Sequence, residues 1–194
     1  MALGFIATGV GIVVSVAVIL LVVILVVYAV SIFNGLIRLK NNIKKSWANI
    51  DVLLKQRSDE LPKLISSVKG YMKHEKGVLA ELTKARTAFL NATTMAKKAA
   101  ADSAISGALK SLFAVAEAYP KLRANENFLQ LQQRISGLEN ELADRREFYN
   151  DSVNTFNIRI QSIPDIVVAK LLGYTEEQMF KVAEAEKKDV KVEF

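Results

Sequence analysis

The chain has no cysteine and a single histidine in 194 residues. A disulfide framework and a thiolate nucleophile are therefore excluded, and a transition-metal site would need clustered carboxylates, which the sequence does not group. Glycine and proline are scarce, nine and three residues. The glycines are scattered without GxGxxG or GxxxxGKS spacing, so no phosphate-cradling loop is present. No serine occupies a GxSxG turn. His74-Glu75 begins like the zinc-protease HExxH motif, but Val78 stands where the second histidine belongs. These absences predict a protein that is not an enzyme, with no catalytic residue, no metal site and no cofactor.

Charge is missing from one long stretch. The first 37 residues carry no charged side chain, and Arg38, Lys40, Lys44 and Lys45 follow at once. Val10 to Ile32 is almost wholly Val, Ile, Leu, Ala and aromatic, with Gly11 and Ser15 as small breaks. As a helix these 23 residues extend about 35 Å, enough for a hydrocarbon core of about 30 Å. Helical geometry satisfies the backbone where water is absent. The rival reading is a cleaved signal peptide, for which Val27-Tyr28-Ala29 offers a weak cleavage-like triplet. Nothing basic precedes the run, however, and the run is too long. The expectation is a retained anchor over residues 1–35. Basic residues on its C-terminal side place the short N-terminus outside and the rest in the cytoplasm of a single-pass inner-membrane protein. The absence of cysteine agrees with a reducing compartment.

About 160 residues remain, enough for one domain with a core. No long alternation of apolar and polar residues suggests a sheet; apolar positions recur at three and four. From Leu36 to Leu61 they run through Leu39, Ile43, Trp47, Ile50 and Leu54. From Leu64 they continue at Val68, Tyr71, Val78, Leu82, Ala85 and Phe89, with Glu75 the one polar interruption. A third set comprises Ile105, Leu109, Leu112, Ala116 and Tyr119. The longest comprises Phe128, Leu131, Ile135, Leu138, Leu142, Tyr149, Phe156 and Ile160.

The fold expected is all-α: a transmembrane helix, then an antiparallel bundle of three to four long amphipathic helices over residues 36–174, then a helical or partly flexible tail over 175–194. Pro62 should kink or interrupt the first long helix, and the small, polar segment Asn91 to Asp102 should form a turn. Tyr119-Pro120 should end the third helix, Asn125 or Asn127 should cap the fourth, and Pro164 and Gly173 should act as stops. Near-heptad spacing also allows a coiled coil between chains, although Arg145 and Ser152 interrupt the seam; packing within one chain is the simpler reading.

The net charge of +6 sits where the chain leaves the membrane: residues 36–76 hold ten Lys and Arg against four Asp and Glu, and the remainder is balanced. The basic group Arg38, Lys40, Lys44 and Lys45 suits anionic headgroups and fixes topology. A nucleic-acid surface would interleave more aromatics than Trp47 and Tyr71, so no nucleic-acid partner is expected.

Two further features point to partners. Ala7, Gly11 and Ser15 put small residues on one face of the anchor, a packing face for another membrane helix. Asp51, Gln56, Arg57, Glu117, Asn125, Asn150, Asn157 and Arg159 lie within or beside apolar faces. They form either a polar network that fixes helix register or a surface for a partner.

Three stretches carry these polar residues: Ser46 to Glu75, Leu112 to Gln132 and Tyr149 to Pro164. Together with the N-terminal span, and above all in the segment AVAEAYPKLRANENFLQLQ, they resemble the LemA family of bacterial membrane proteins. The resemblance extends through Gly173-Tyr174 and Phe180. It implies one N-terminal span and a helical cytoplasmic domain, and it supplies no catalytic residue. It also implies two kinds of association: LemA-like genes often lie near membrane-bound metalloproteases of the envelope-stress type, and a related protein takes part in magnetosome membrane formation. The leading expectation is a non-enzymatic, self-associating scaffold on the lipid bilayer. The alternatives are an adaptor or regulator of a membrane metalloprotease or other envelope complex, and a hydrolase or small-ligand protein, which would need a convergent polar pocket.

Overall fold

The computed structural model describes residues 2–180, with side chains from residue 11 onward. Among the described residues every regular element is helical: α1 (Ala2–Lys69), α2 (Lys76–Leu90), α3 (Met95–Ala116), α4 (Pro120–Arg123), α5 (Glu126–Gln161) and α6 (Asp165–Leu171). They group into two compact units. One comprises the residues up to Ile43 with Ser152–Glu177; the other comprises Lys44–Asp151 with the described residues from Gln178 on.

The apolar part of α1 is long enough to cross a membrane, and its most apolar stretch is uncovered among the described residues. Its large side chains from Ile12 to Val30 are each more than half exposed. Burial begins at Ile32 and Leu36. In the first unit these join Ile43, Val153, Phe156, Ile160 and Ala169 as the buried apolar positions.

In the second unit Ile50, Leu54, Leu61, Leu64 and Val68 of α1 are fully or almost fully buried. Each such side chain contributes about 1.5–3 kcal/mol. α2 and α3 pack on each other as a helical hairpin joined by a short turn. The turn is shorter than the sequence suggests. Thr94 accepts the Lys97 N–H at 3.3 Å and caps α3, so residues 95–102 are helical. On α5, Phe128, Ile135, Leu142 and Tyr149, each seven residues apart, are all buried.

Pro62 does not interrupt α1; it lies inside the helix. Proline lacks the N–H that would bond to the carbonyl four residues earlier, that of Ser58. The Arg86 side chain supplies the missing donor, its Nε lying 3.1 Å from the Ser58 oxygen. The chain leaves the helix instead at Gly70, where Tyr71 and Met72 both donate to the Val68 carbonyl at 3.0 and 2.9 Å. Met72 is fully buried in that turn, so apolar spacing continues where the backbone changes course. This continuity hides the break from a periodicity reading.

The other stops fall close to expectation. α3 ends at Ala116, three residues before Tyr119, and Pro120 opens the short α4. Asn125 accepts the Phe128 N–H at 3.0 Å and so caps α5. α5 ends at Gln161, before Pro164. Gly173 has φ +64°, the left-handed conformation that suits glycine. Tyr174 N–H then bonds back to the Ala169 carbonyl and Gly173 N–H to that of Lys170, closing α6.

Candidate functional site

The second unit holds a buried polar network. Arg57 is completely buried on α1, and Asp102 and Ser106 face it from α3. Its guanidinium donates to the Asp102 carboxylate, to the Asp102 carbonyl at 3.0 Å, to Ser106 Oγ at 3.1 Å and to the Glu139 carboxylate of α5. Ser106 in turn donates to Glu139 at 2.9 Å, and Arg146 of α5 pairs with the second Asp102 oxygen. Two cations meet two anions, so the buried charges balance. Water reaches only the Glu139 end appreciably. Paired this way, the charges act as polar links between three helices.

Of the eight polar residues singled out in the sequence, only Arg57 belongs to this network. Asp51 pairs with Lys98, and Gln56 lines a groove of about 630 Å³ with Asp59, Glu60, Arg134 and Glu141. Glu117 and Arg123 form an exposed pair at 3.2 Å. Asn125 caps α5 and also donates to the Tyr71 hydroxyl at 3.3 Å. Asn150 and Asn157 act differently, each side-chain amide gripping the backbone N–H and carbonyl of one residue in the segment after α6. Asn157 accepts the Glu177 N–H and donates to its carbonyl, both at 2.9 Å. Asn150 does the same for Phe180, at 2.8 and 3.2 Å.

Asp102, Ser106, Glu139 and Arg146 do not stand out in the sequence as site residues. The small, polar run around Asp102 suggests a turn, yet Asp102 lies well inside α3. A signal is nevertheless present: Asp102 and Ser106, four residues apart, interrupt an Ala-rich helical face.

Phe180 enters the aromatic core of the second unit, with its ring centroid 6.1 Å from that of Trp47 and the Arg146 guanidinium 5.1 Å above its ring. Tyr149 donates to the Gln178 carbonyl at 2.9 Å, and burial pushes its hydroxyl above the ordinary value of 10. Tyr119 is also raised, first by burial, then by its hydrogen bond to Glu75 at 3.1 Å and by that carboxylate's charge.

The basic and anchor residues fall in the first unit, apart from Lys44 and Lys45. Arg38, Lys44 and Lys45 are exposed. Lys40 turns inward: it pairs with Glu177, and its ammonium sits 5.3 Å from the Phe156 ring centre and 5.5 Å from that of Tyr174. Arg159 pairs with Asp165 and lies against Gly35, where an added Cβ would approach its guanidinium to 3.1 Å. Gly11 and Ser15 are exposed on α1, and the Ser15 hydroxyl donates to the Gly11 carbonyl at 2.9 Å. The Ala7 side chain lies outside the described residues, as do residues 181–194 of the expected tail.

Among the described residues no three His, Asp or Glu side chains converge as a metal-holding group. The arrangement is that of an all-helical protein with one long apolar N-terminal helix. The LemA family profile matches residues 46–194, and the chain belongs to the LemA family. Two magnetosome proteins of Paramagnetospirillum magneticum, MamQ 1 and MamQ 2, are each 31% identical to it over 81 residues, 42% of this chain and 30% of theirs. MamQ of Magnetospirillum gryphiswaldense is 28% identical over 80 residues, 41% of this chain and 29% of that protein. The matched segment thus spans about a third of the length of these curated relatives.

Proposed function

We propose that this protein is a non-enzymatic helical scaffold, held in the bacterial inner membrane by residues 1–35 and self-associating at its cytoplasmic face. α1 carries the reading. It holds an uncovered apolar stretch from Ile12 to Val30 and then, without a helix break, the buried positions Leu36, Ile50, Leu54, Leu61 and Leu64. One continuous helix is both the anchor and part of the domain core. Residues 36–174 form an antiparallel bundle in this reading, and residues 175–194 are its tail. Arg38, Lys44 and Lys45, exposed just past the span, favour a cytoplasmic domain. Similarity to magnetosome proteins supports a membrane role.

The Gly11 and Ser15 face supplies one route to self-association. The Ser15 hydroxyl is satisfied within its own helix, so a neighbouring helix can approach closely with no polar group stranded in lipid. The test is the mass of the full-length chain in lipid nanodiscs, beside a chain lacking residues 1–35. A defined assembly of the full-length chain supports the scaffold, and its reduction by Gly11→Ile assigns the contact to the anchor. Monomers in both forms overturn self-association and turn the search to an adaptor role, for which crosslinking in native membranes would capture a membrane metalloprotease.

A further inference from the structure

The first unit exposes apolar side chains at a second place besides the span. Ile163, Val167 and Leu171 are 88%, 61% and 84% exposed and follow one another at four-residue intervals along α6 and its entry. The buried residues of α6 are Asp165 and Ala169. Val167 and Leu171 each lie two positions beyond these, roughly 200° round the axis. α6 therefore has an inner face that packs and an outer face that is apolar and uncovered among the described residues.

The height of α6 along α1 identifies what covers that face. Arg159, which pairs with Asp165 at the first residue of α6, rests against Gly35. Tyr28, Ser31, Asn34, Arg38, Arg159 and Asp165 line one polar cavity of about 430 Å³. Gly35 lies only three residues past Ile32, about 4.5 Å along the helix axis. The headgroup layer on each side of a bilayer is about 5–7 Å deep. The start of α6 is thus held at the level where hydrocarbon gives way to headgroups. An apolar face there is sheltered by acyl chains, the exposed Lys170 can reach lipid phosphates, and the buried Asp165 is paired with Arg159.

We infer that α6 is an interfacial membrane element: Ile163, Val167 and Leu171 insert into the cytoplasmic leaflet beside the exit of α1, giving a single-pass chain a second membrane contact. This rests on the reading of residues 10–32 as the span. The cysteine-free chain allows a direct test. Full-length Leu171→Cys, Val167→Cys and Val23→Cys proteins, each carrying an environment-sensitive fluorophore, are reconstituted into phosphatidylethanolamine–phosphatidylglycerol vesicles. Quenching is measured with lipid nitroxides near the carbonyl or the methyl end of the acyl chain, and with aqueous iodide. The expected result is blue-shifted emission at positions 167 and 171, quenched most by the carbonyl-end nitroxide, with position 23 quenched most by the methyl-end nitroxide. Labels at 167 and 171 quenched by iodide and untouched by lipid nitroxides overturn the inference while the span stands. Labels shielded from both quenchers overturn it too, and assign the face to a protein partner. A label at position 23 that no lipid nitroxide reaches overturns the span itself.

Discussion

Arg57 has no contact with water, so its charge must be compensated by what surrounds it. Asp102 is the central partner, because its carboxylate serves both Arg57 and Arg146. Asp102→Ala takes one anion away from each of two buried guanidinium groups, and such a loss costs about 3–5 kcal/mol. Glu139→Ala costs less, since water reaches the Glu139 side chain, which is 38% exposed. Thermal unfolding followed by helical circular dichroism in mild detergent checks both; equal losses would contradict the ranking. Tyr149 makes a second residue-scale prediction. Its folded-state pKa is raised, so the folded chain holds the phenolic proton more tightly than the unfolded chain. Its contribution is fully present below pH 10 and declines as pH rises from 10 through the raised value. Tyr149→Phe should be somewhat less stable near neutrality, through loss of the bond to Gln178, and should show a shallower decline above pH 10. Unfolding midpoints of both proteins across the alkaline range would test it, parallel declines counting against it.

At the scale of the element, α1 tolerates an internal proline because another helix completes its hydrogen bonding. Arg86 of α2 donates to the Ser58 carbonyl that Pro62 leaves without a backbone partner. Arg86→Met should therefore cost about 1–3 kcal/mol, the penalty of an unsatisfied buried acceptor. In a Pro62→Ala background the backbone N–H returns to that carbonyl, and the same substitution should cost distinctly less. A double-mutant cycle measures the coupling, and additive effects would refute it. The same logic applies to the segment after α6. Lacking a helix or strand ladder to satisfy its own peptide groups, it borrows the side-chain amides of Asn150 and Asn157.

At the scale of the whole molecule, charge and apolarity are separated along the chain: an uncharged start, a basic segment, then a balanced remainder. This polarity predicts orientation. A Lys110→Cys protein, labelled at an exposed position of α3, should resist a membrane-impermeant maleimide in intact bacteria and react once the membrane is permeabilised. Labelling in intact cells would reverse the proposed topology. No endogenous cysteine confuses the readout.

The helical class, the apolar span and most core positions were legible in the sequence, since they follow from local periodicity and composition. Ile50, Leu54, Leu109, Ile135 and Leu142 are buried where spacing placed them. Two caps were equally local: Asn125 before α5 and Gly173 after α6 need only neighbouring backbone. Tertiary structure decided what depends on a distant partner. Arg86 supplies the donor that Pro62 removes inside a continuous helix, and Met72 stays buried while the backbone turns. Arg57 finds Asp102 and Glu139 at separations of 45 and 82 residues, beyond any periodic pattern. Lys40, legible only as one of four basic residues beside a membrane, is drawn inward by Glu177, Phe156 and Tyr174. Local chemistry sets which residues turn inward along each helix; only packing sets which of them meet.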